Sequence, residues 1–391
     1  MLTPEQNARL TQTGKGTPCG ELMRRYWQPV ALSSELPAGS APLPVTILDE
    51  ELVLFRDTAG KLGLIELHCK HRAADLSYGF VDACGLRCLY HGWAYAVDGR
   101  CTDQPGQPSA TFKESIRATA YPCADIGGLI VAYMGPGAPP VIPRYGFGEV
   151  PPENRVVRKI RIDCNYLQAN EGNIDPHHVA FLHAQPGTER FNADLSPRMT
   201  VENASYGVRV TTVRGLPEGR EYVRTSNFIM PNLSSFTMDG AVEDGFAIHW
   251  HVPITDTSHW KYLIAFQRRA ALTSVDWGDD VDEFYRLRRN RSNRYLQDRR
   301  QVGGRITAGM GSDFQAHDAF ATESQGAIQD RTREHLTVMD VAITRSRRCL
   351  FDGIDAVAAG SDPQHVLRPP SDGIVPDLVT DSAVVLAGAP A

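Results

Sequence analysis

Apolar positions in the first 150 residues come in short runs rather than long periodic stretches. Val45 to Leu48, Leu52 to Arg56 and Leu62 to Leu67 are rich in Val, Leu and Ile and are separated by turn segments such as Asp57-Thr58-Ala59-Gly60, which predicts short strands joined by tight turns. The texture continues from Tyr95 to Cys101, across a Val97-Asp98-Gly99-Arg100 turn, and ends in an apolar strand from Leu129 to Met134. Ahead of it, residues 1–40 predict a short helical arm, with Leu22, Met23, Tyr26 and Trp27 at helical spacing before Pro29 and Pro37.

Gly135-Pro136-Gly137-Ala138-Pro139-Pro140, followed by prolines at 143, 151 and 152, resists both helix and sheet and puts a domain boundary near residue 148. The second half predicts a helical stretch from Asn165 to Ala184 and strands from Tyr206 to Arg214, Tyr222 to Ile229, Phe246 to Val252 and Trp260 to Gln267. Helices are then expected from Val281 to Asp298 and from Phe314 to Leu350. Strands in succession followed by helices predict an antiparallel sheet with helices on one side. The chain therefore reads as α+β, with an N-terminal arm and all-β domain over 1–148 and a second domain over 149–351. From Asp352 the sequence is Pro-, Gly- and Ala-rich with weak periodicity, which predicts a poorly ordered tail over 352–391. No internal repeat is present.

The 391 residues carry 40 Lys and Arg against 46 Asp and Glu, a formal charge of −6, which speaks against nucleic acid as a partner. Met1 to Gly16 is polar where a signal peptide would have its apolar core, and there is no run of about 18 apolar residues. A soluble cytoplasmic protein away from membranes is expected. In that reducing compartment clustered cysteines read as metal ligands, and of the eight cysteines only one region groups them with histidine.

That region is Cys69-Lys70-His71, then sixteen residues, then Cys88-Leu89-Tyr90-His91-Gly92-Trp93. Each half supplies one thiolate and one imidazole from a tight loop. Two Cys and two His suit tetrahedral zinc, or a [2Fe–2S] cluster with both thiolates on one iron and both imidazoles on the other. Zinc modules usually keep like ligands adjacent, whereas here each loop mixes them, which suits two inequivalent irons. Cys84 lies close enough to compete with Cys88, but it lacks the matching spacing to His91.

The segment from Asn165 to His183 is dense in ligand-capable groups. Glu171, Asp175 and His178 are spaced four and three apart, on one helical face. His183 follows His178 by five, which on a straight helix would turn the imidazoles roughly 140° apart. A π-bulge or irregular turn is therefore expected, and Pro176 supports a break, with Asp175 as a cap. Two histidines plus one distant carboxylate make the facial triad of mononuclear non-heme iron. His177 is the histidine most easily confused with these ligands.

C-x-H, sixteen residues, C-x-x-H with Gly-Trp, together with E-x-x-x-D-x-x-H-x-x-x-x-H, resembles the Rieske non-heme iron oxygenases. The resemblance extends to Gly16-Thr17-Pro18, Arg24-Arg25-Tyr26-Trp27 and Asp330 to Leu336, which look like the phthalate dioxygenase-type branch. It implies a Rieske domain followed by a catalytic domain with a helix-grip-like sheet. It also implies that Cys69, His71, Cys88 and His91 bind a [2Fe–2S] cluster, and that His178 and His183 bind Fe(II). The third ligand is carried over as Asp318, five residues before Glu323 as in the family's late motif, with Asp313, Asp330 and Asp340 as rivals. Asp175 would bridge a cluster histidine to His178 as the path of the electron.

The implied activity is the terminal oxygenase of a multicomponent system. It would use O2 and electrons from an NAD(P)H-dependent reductase with flavin and [2Fe–2S] centres, directly or through a ferredoxin, to hydroxylate or O-demethylate an aromatic carboxylate. The implied assembly is a homotrimer or stacked trimers. No G-x-G-x-x-G follows a strand, so the chain itself shows no nicotinamide site. Asn227, Met230, Asn232 and Phe236 are candidate substrate contacts, and Arg209 or Arg224 a candidate carboxylate holder. A Rieske-type electron carrier without oxygenase activity, a demethylase of a non-aromatic substrate and a structural zinc protein are the other readings.

Overall fold

The computed structural model describes residues 1–109, 111–273, 275 and 280–388. Two short helices, α1 (Pro4–Thr11) and α2 (Pro18–Met23), form the arm, each with Pro in its first turn and a Thr side chain capping it. The helical run expected to include Trp27 stops at Met23, and Trp27 instead opens β1 (Trp27–Leu32). Pro29 is the physical reason, because it cannot occupy a helix interior.

Next come β2 (Leu43–Ile47), β3 (Glu50–Arg56), β4 (Leu62–Glu66), β5 (Phe80–Asp82), β6 (Gly85–Arg87), β7 (Ala94–Tyr95), β8 (Cys101–Asp103), β9 (Ala120–Tyr121), β10 (Cys123–Ile126) and β11 (Leu129–Tyr133). They build three antiparallel sheets, ordered β2-β3-β4-β9, β5-β6-β7-β8 and β1-β11-β10. The first two enclose a small core of Val53, Phe55, Ile65, Leu76, Leu86 and Tyr95, from which the loop after β4 and the loop after β6 emerge side by side.

The second half is organised by one large antiparallel sheet. Its elements are β12 (Arg155–Ile162), α3 (Tyr166–Ile174), α4 (Glu189–Asn192), β13 (Arg198–Ala204), β14 (Gly207–Leu216), β15 (Arg220–Ile229), β16 (Leu233–Phe236), β17 (Phe246–Thr255), β18 (Ser258–Phe266), α5 (Phe314–Glu323), α6 (Val341–Ala358) and β19 (Ser382–Leu386). Strand order is β12-β18-β17-β16-β15-β14-β13. Side chains alternate between the two faces of a strand. On β17 and β18 one face carries Ile248, Trp250, Val252, Tyr262 and Ile264 into the main core, and the other carries His249, His251, His259 and Lys261.

Three differences from expectation have local causes. The stretch from Val281 to Asp298 is not helical but turns, including a 3₁₀ segment over Arg291–Leu296 broken by left-handed Arg294 and Tyr295. Val281, Phe284 and Tyr285 start an apolar stripe, but Arg288 to Arg294 is all Arg, Asn and Ser and cannot continue it. The expected helix from Phe314 to Leu350 is two helices, because Gly326 (φ +97°) follows α5 and the chain then turns inward to bury Arg331. The tail does not start as loose chain at 352, since α6 runs to Ala358 and β19 pairs with the Arg220–Arg224 end of β15, beyond the reach of β16. Residues 389–391 lie outside the described residues. Strands β12 and β13 had no counterpart in the sequence reading. Among the described residues, no helix is long and apolar enough to cross a membrane.

Candidate functional site

The two Cys/His loops share one backbone design. In the first, Cys69 N–H donates to Ala74 O (2.9 Å) and Ala73 N–H to Cys69 O (2.8 Å). In the second, Cys88 N–H donates to Trp93 O (2.8 Å) and Gly92 N–H to Cys88 O (3.0 Å). The residue four beyond each cysteine has positive φ, Ala73 at +56° and Gly92 at +75°. The matching turns bury both thiols, with Cys69 4% and Cys88 3% exposed, and leave both imidazoles exposed. His71 and His91 meet with ring centroids 4.4 Å apart, and His71 stacks on Trp93 at 4.6 Å.

This suits a two-iron centre with an inner thiolate iron and an outer imidazole iron. A single zinc ion would need the four ligand atoms gathered about one point. Among the described residues, the group whose ligand atoms all lie within 4.8 Å of one another is instead His178, His183 and Asp318.

That triad is built by interrupting a helix. α3 ends at Ile174, and its C-cap Asp175 has the extended backbone (φ −75°, ψ 112°) that a residue before proline prefers. The Asp175 carboxylate then caps the following 3₁₀ turn, accepting from His177 N–H (2.7 Å) and His178 N–H (3.3 Å). The turn over His178–Ala180 and the irregular residue Phe181 bring the His178 and His183 rings to 5.1 Å. This is the irregular turn expected from the five-residue spacing, in 3₁₀ rather than π form. His177 points away, its Nε2 bonded to Leu195 O. Asp318 comes from α5, with Oδ1 3.0 Å from His183 Nε2 and 4.0 Å from His178 Nε2. Its rivals are occupied elsewhere: Asp313 caps α5, and Asp330 and Asp340 cap exposed turns.

Both imidazoles are oriented by what their other nitrogen does. His178 Nδ1–H donates to Asp175 O (2.7 Å). His317 Nε2–H donates to Gly311 O (2.9 Å), so its Nδ1 accepts from His183 Nδ1–H at 3.3 Å. In both, Nε2 is left with its lone pair toward Asp318, the arrangement a metal requires. Burial pushes His183 down to about 4, keeping it neutral. Burial would raise the Asp318 carboxyl, but the Lys261 ammonium outweighs it and holds Asp318 well below the usual carboxylate range.

A buried polar chain runs behind the triad. Asn173 on α3 joins His249 Nδ1 (2.9 Å) to His251 Nε2 (2.6 Å), His251 Nδ1 meets His259 Nε2 (3.3 Å), and His259 Nδ1–H donates to Cys164 O (2.8 Å). Burial holds all three histidines below their ordinary range.

A cavity of about 390 Å³ opens over His178, His183 and Asp318, walled by Phe191, Phe236 and Phe314 and by Arg190 and Arg224. The arginines differ in their partners. Arg190 lies 3.2 Å from the Asp239 carboxylate, which is also fixed by Tyr222. The bonds of Arg224 go to Thr237 Oγ1 and O, at 3.3 Å each, and its guanidinium lies over the Phe191 and Phe236 rings.

Of the candidate substrate contacts, Phe236 and Arg224 reach the cavity. Asn227 is tied to Tyr206, Ser235 and Thr380, Asn232 to Gln28 and Trp250, Met230 is buried in the main core, and Arg209 bonds the Asp377 carbonyl. Lys261, His317, Asn173 and Arg190 were not singled out from sequence. For Lys261 a signal existed, a lone cation inside the otherwise apolar run from Trp260 to Phe266.

Residues 26–122 match the model of the Rieske [2Fe-2S] domain, and residues 132–371 match that of the LigXa C-terminal domain like family. The chain is 33% identical over 381 residues to the 5,5'-dehydrodivanillate O-demethylase oxygenase subunit of Sphingobium sp. (strain NBRC 103272 / SYK-6), covering 95% of this chain and 85% of that protein. It is 34% identical to the phthalate 4,5-dioxygenase oxygenase subunit of Pseudomonas putida, covering 92% and 88%. Among solved structures, a caffeine-bound mutant of NdmA from Pseudomonas putida CBB5 superposes with a TM-score of 0.63 at 21% identity, covering 88% of this chain and 94% of that one.

Proposed function

This chain belongs to the Rieske non-heme iron oxygenases, as an oxygenase subunit with a [2Fe–2S] Rieske cluster and a mononuclear iron, and on that premise we propose that it hydroxylates or O-demethylates an aromatic carboxylate. The observation that carries the substrate class is the cavity over His178, His183 and Asp318, whose aromatic walls hold Arg224, its hydrogen bonds among the described residues going to the neutral oxygens of Thr237. Relatives named for phthalate, phenoxybenzoate and 3-chlorobenzoate support it.

Cys69, His71, Cys88 and His91 would hold the cluster, and His178, His183 and Asp318 the iron. When bound, the iron supplies activation of dioxygen with electrons delivered from a reductase or ferredoxin partner. The rest is the work of the chain. Phe191, Phe236 and Phe314 exclude water and stack the ring, Arg224 takes the carboxylate as a charge-assisted pair, and Asp239 keeps Arg190 from competing for it. Gly311 O, through His317, and Asp175 O fix the tautomers of the two histidines. Asp175, bound to the backbone of the His178 turn, is the group through which a cluster histidine would connect to His178.

The exposed His71 and His91 favour an assembly in which these rings meet a neighbouring subunit. The reading is a cytoplasmic homotrimer, or stacked trimers, of chains divided near residue 148, with residues 352–388 packed against both parts, at Val141, Arg144 and Tyr145 and at β15. The test is turnover by the anaerobically purified protein with a reductase, over benzoates, methoxybenzoates and their methyl esters, with ¹⁸O2 incorporation read by mass spectrometry. Turnover of the acids but not of the esters is expected; equal turnover of both overturns the carboxylate reading.

A further inference from the structure

Lys261 is a charged side chain that the large sheet buries against Asp318. It stands on β18 opposite His251 of β17, is 2% exposed, and places Nζ 3.0 Å from Asp318 Oδ2. Among the described residues Asp318 is the only carboxylate within ion-pairing distance of it. The two oxygens of Asp318 are thus divided: Oδ2 faces the ammonium, while Oδ1 faces His183 Nε2 at 3.0 Å and His178 Nε2 at 4.0 Å.

We propose that Lys261 is a positioning residue that reserves Oδ2 of Asp318, so that the carboxylate offers the iron a single oxygen. This rests on the reading of His178, His183 and Asp318 as the iron triad. A carboxylate otherwise binds through one oxygen or two, and each position it takes is one fewer for an incoming ligand. A buried ammonium is costly to leave without its counter-charge, so the pair resists swinging Oδ2 round to the metal. The strand pairing of Lys261 with His251, itself bonded to Asn173 and His259, leaves the stem little room to move. Outer partners of metal ligands commonly change metal affinity or activity by about 10–100-fold. The effect of Lys261 falls on the open positions rather than on metal retention.

The test is an anaerobic titration of the ferrous holoenzyme, cluster oxidised, with nitric oxide, which needs an open position and whose iron adduct is read by electron paramagnetic resonance. Iron and sulfide are counted on the same samples. K261M is expected to keep its iron and to bind nitric oxide about tenfold more weakly, while K261R, which keeps a cation against Oδ2, stays within about twofold of the parent. An iron-replete K261M with unchanged nitric oxide affinity overturns the proposal. So does loss of iron from K261M, which would make Lys261 a support for the triad as a whole. Should K261M fail to fold, K261Q is read by the same criteria. A parent protein with iron in the cluster alone and no nitric oxide signal sinks the triad reading itself, an outcome distinct from either.

Discussion

Tyr95 and Cys69 are joined by a hydrogen bond of fixed direction. The phenolic oxygen accepts Lys70 N–H at 3.0 Å, which leaves its own proton for Cys69 Sγ at 3.1 Å. A donor aimed at a ligating sulfur favours the more negative, reduced cluster and raises its potential. Tyr95→Phe removes a bond worth about 1 kcal/mol, which for one electron is roughly 40 mV. A midpoint lower by that order is expected in a redox titration followed by electron paramagnetic resonance, and an unmoved midpoint would show that the sulfur does not feel this hydroxyl.

Arg224→Met tests the substrate end of the cavity. The substitution keeps bulk against Phe191 and Phe236 but removes the guanidinium. A charge-assisted bond is worth about 1.5–3 kcal/mol, so kcat/KM for an aromatic acid should fall roughly 10–100-fold, mostly through KM. A neutral ester, if it is turned over at all, should be unaffected. An equal loss on acid and ester would mean that Arg224 only shapes the wall.

Much of this candidate site was legible in the sequence because its candidate ligands are local. Cys69 with His71, Cys88 with His91, and His178 with His183 lie within single loops, and the five-residue step between the last pair demands the broken helix that is found. What was not legible depends on strand pairing. Lys261 reaches Asp318, and Asn173 reaches His249 and His251, only once β17, β18, α3 and α5 are stacked. The stretch from Val281 to Asp298 misled for a related reason: Val281, Phe284 and Tyr285 are spaced as on a helix, but Arg288 to Arg294 gives that stripe nothing further to bury.

Asp175→Asn separates two roles for one carboxylate. As a cap, Asp175 accepts from His177 N–H and His178 N–H, and an amide can replace one of those acceptors at a cost of about 1 kcal/mol or less. Iron and sulfide contents should therefore stay at parent values. As the bridge to a cluster histidine it needs a second acceptor oxygen, and there turnover should fall on the order of 10–100-fold. The assay is NADH oxidation coupled to product formation, run on samples of known metal content. Parent-like turnover would reduce Asp175 to a cap.

Glu171 gives the acid behaviour of the fold a definite sign. Its carboxylate is buried between Arg331, which is fully buried, and Arg347, at 2.9 and 2.6 Å, and Arg347 also holds Glu334. The cluster ties α3 to α6 and to the chain between α5 and α6. Burial would raise the Glu171 carboxyl, but Arg331 and Arg347 overcome it and leave it below its ordinary 4.5. An acid depressed in the folded state stabilises the fold above its unfolded value, and that stability is lost as pH falls through the folded one. Glu171→Gln leaves Arg331 with a neutral partner in the interior and should cost about 3–5 kcal/mol at pH 7. Below about pH 4.5 the unfolded parent takes up a proton that the folded parent refuses, so the gap between parent and variant should narrow. Urea unfolding followed by tryptophan fluorescence from pH 7.5 to pH 4 checks this, and a gap that stays constant over that range would mean Glu171 does not titrate as its arginines require.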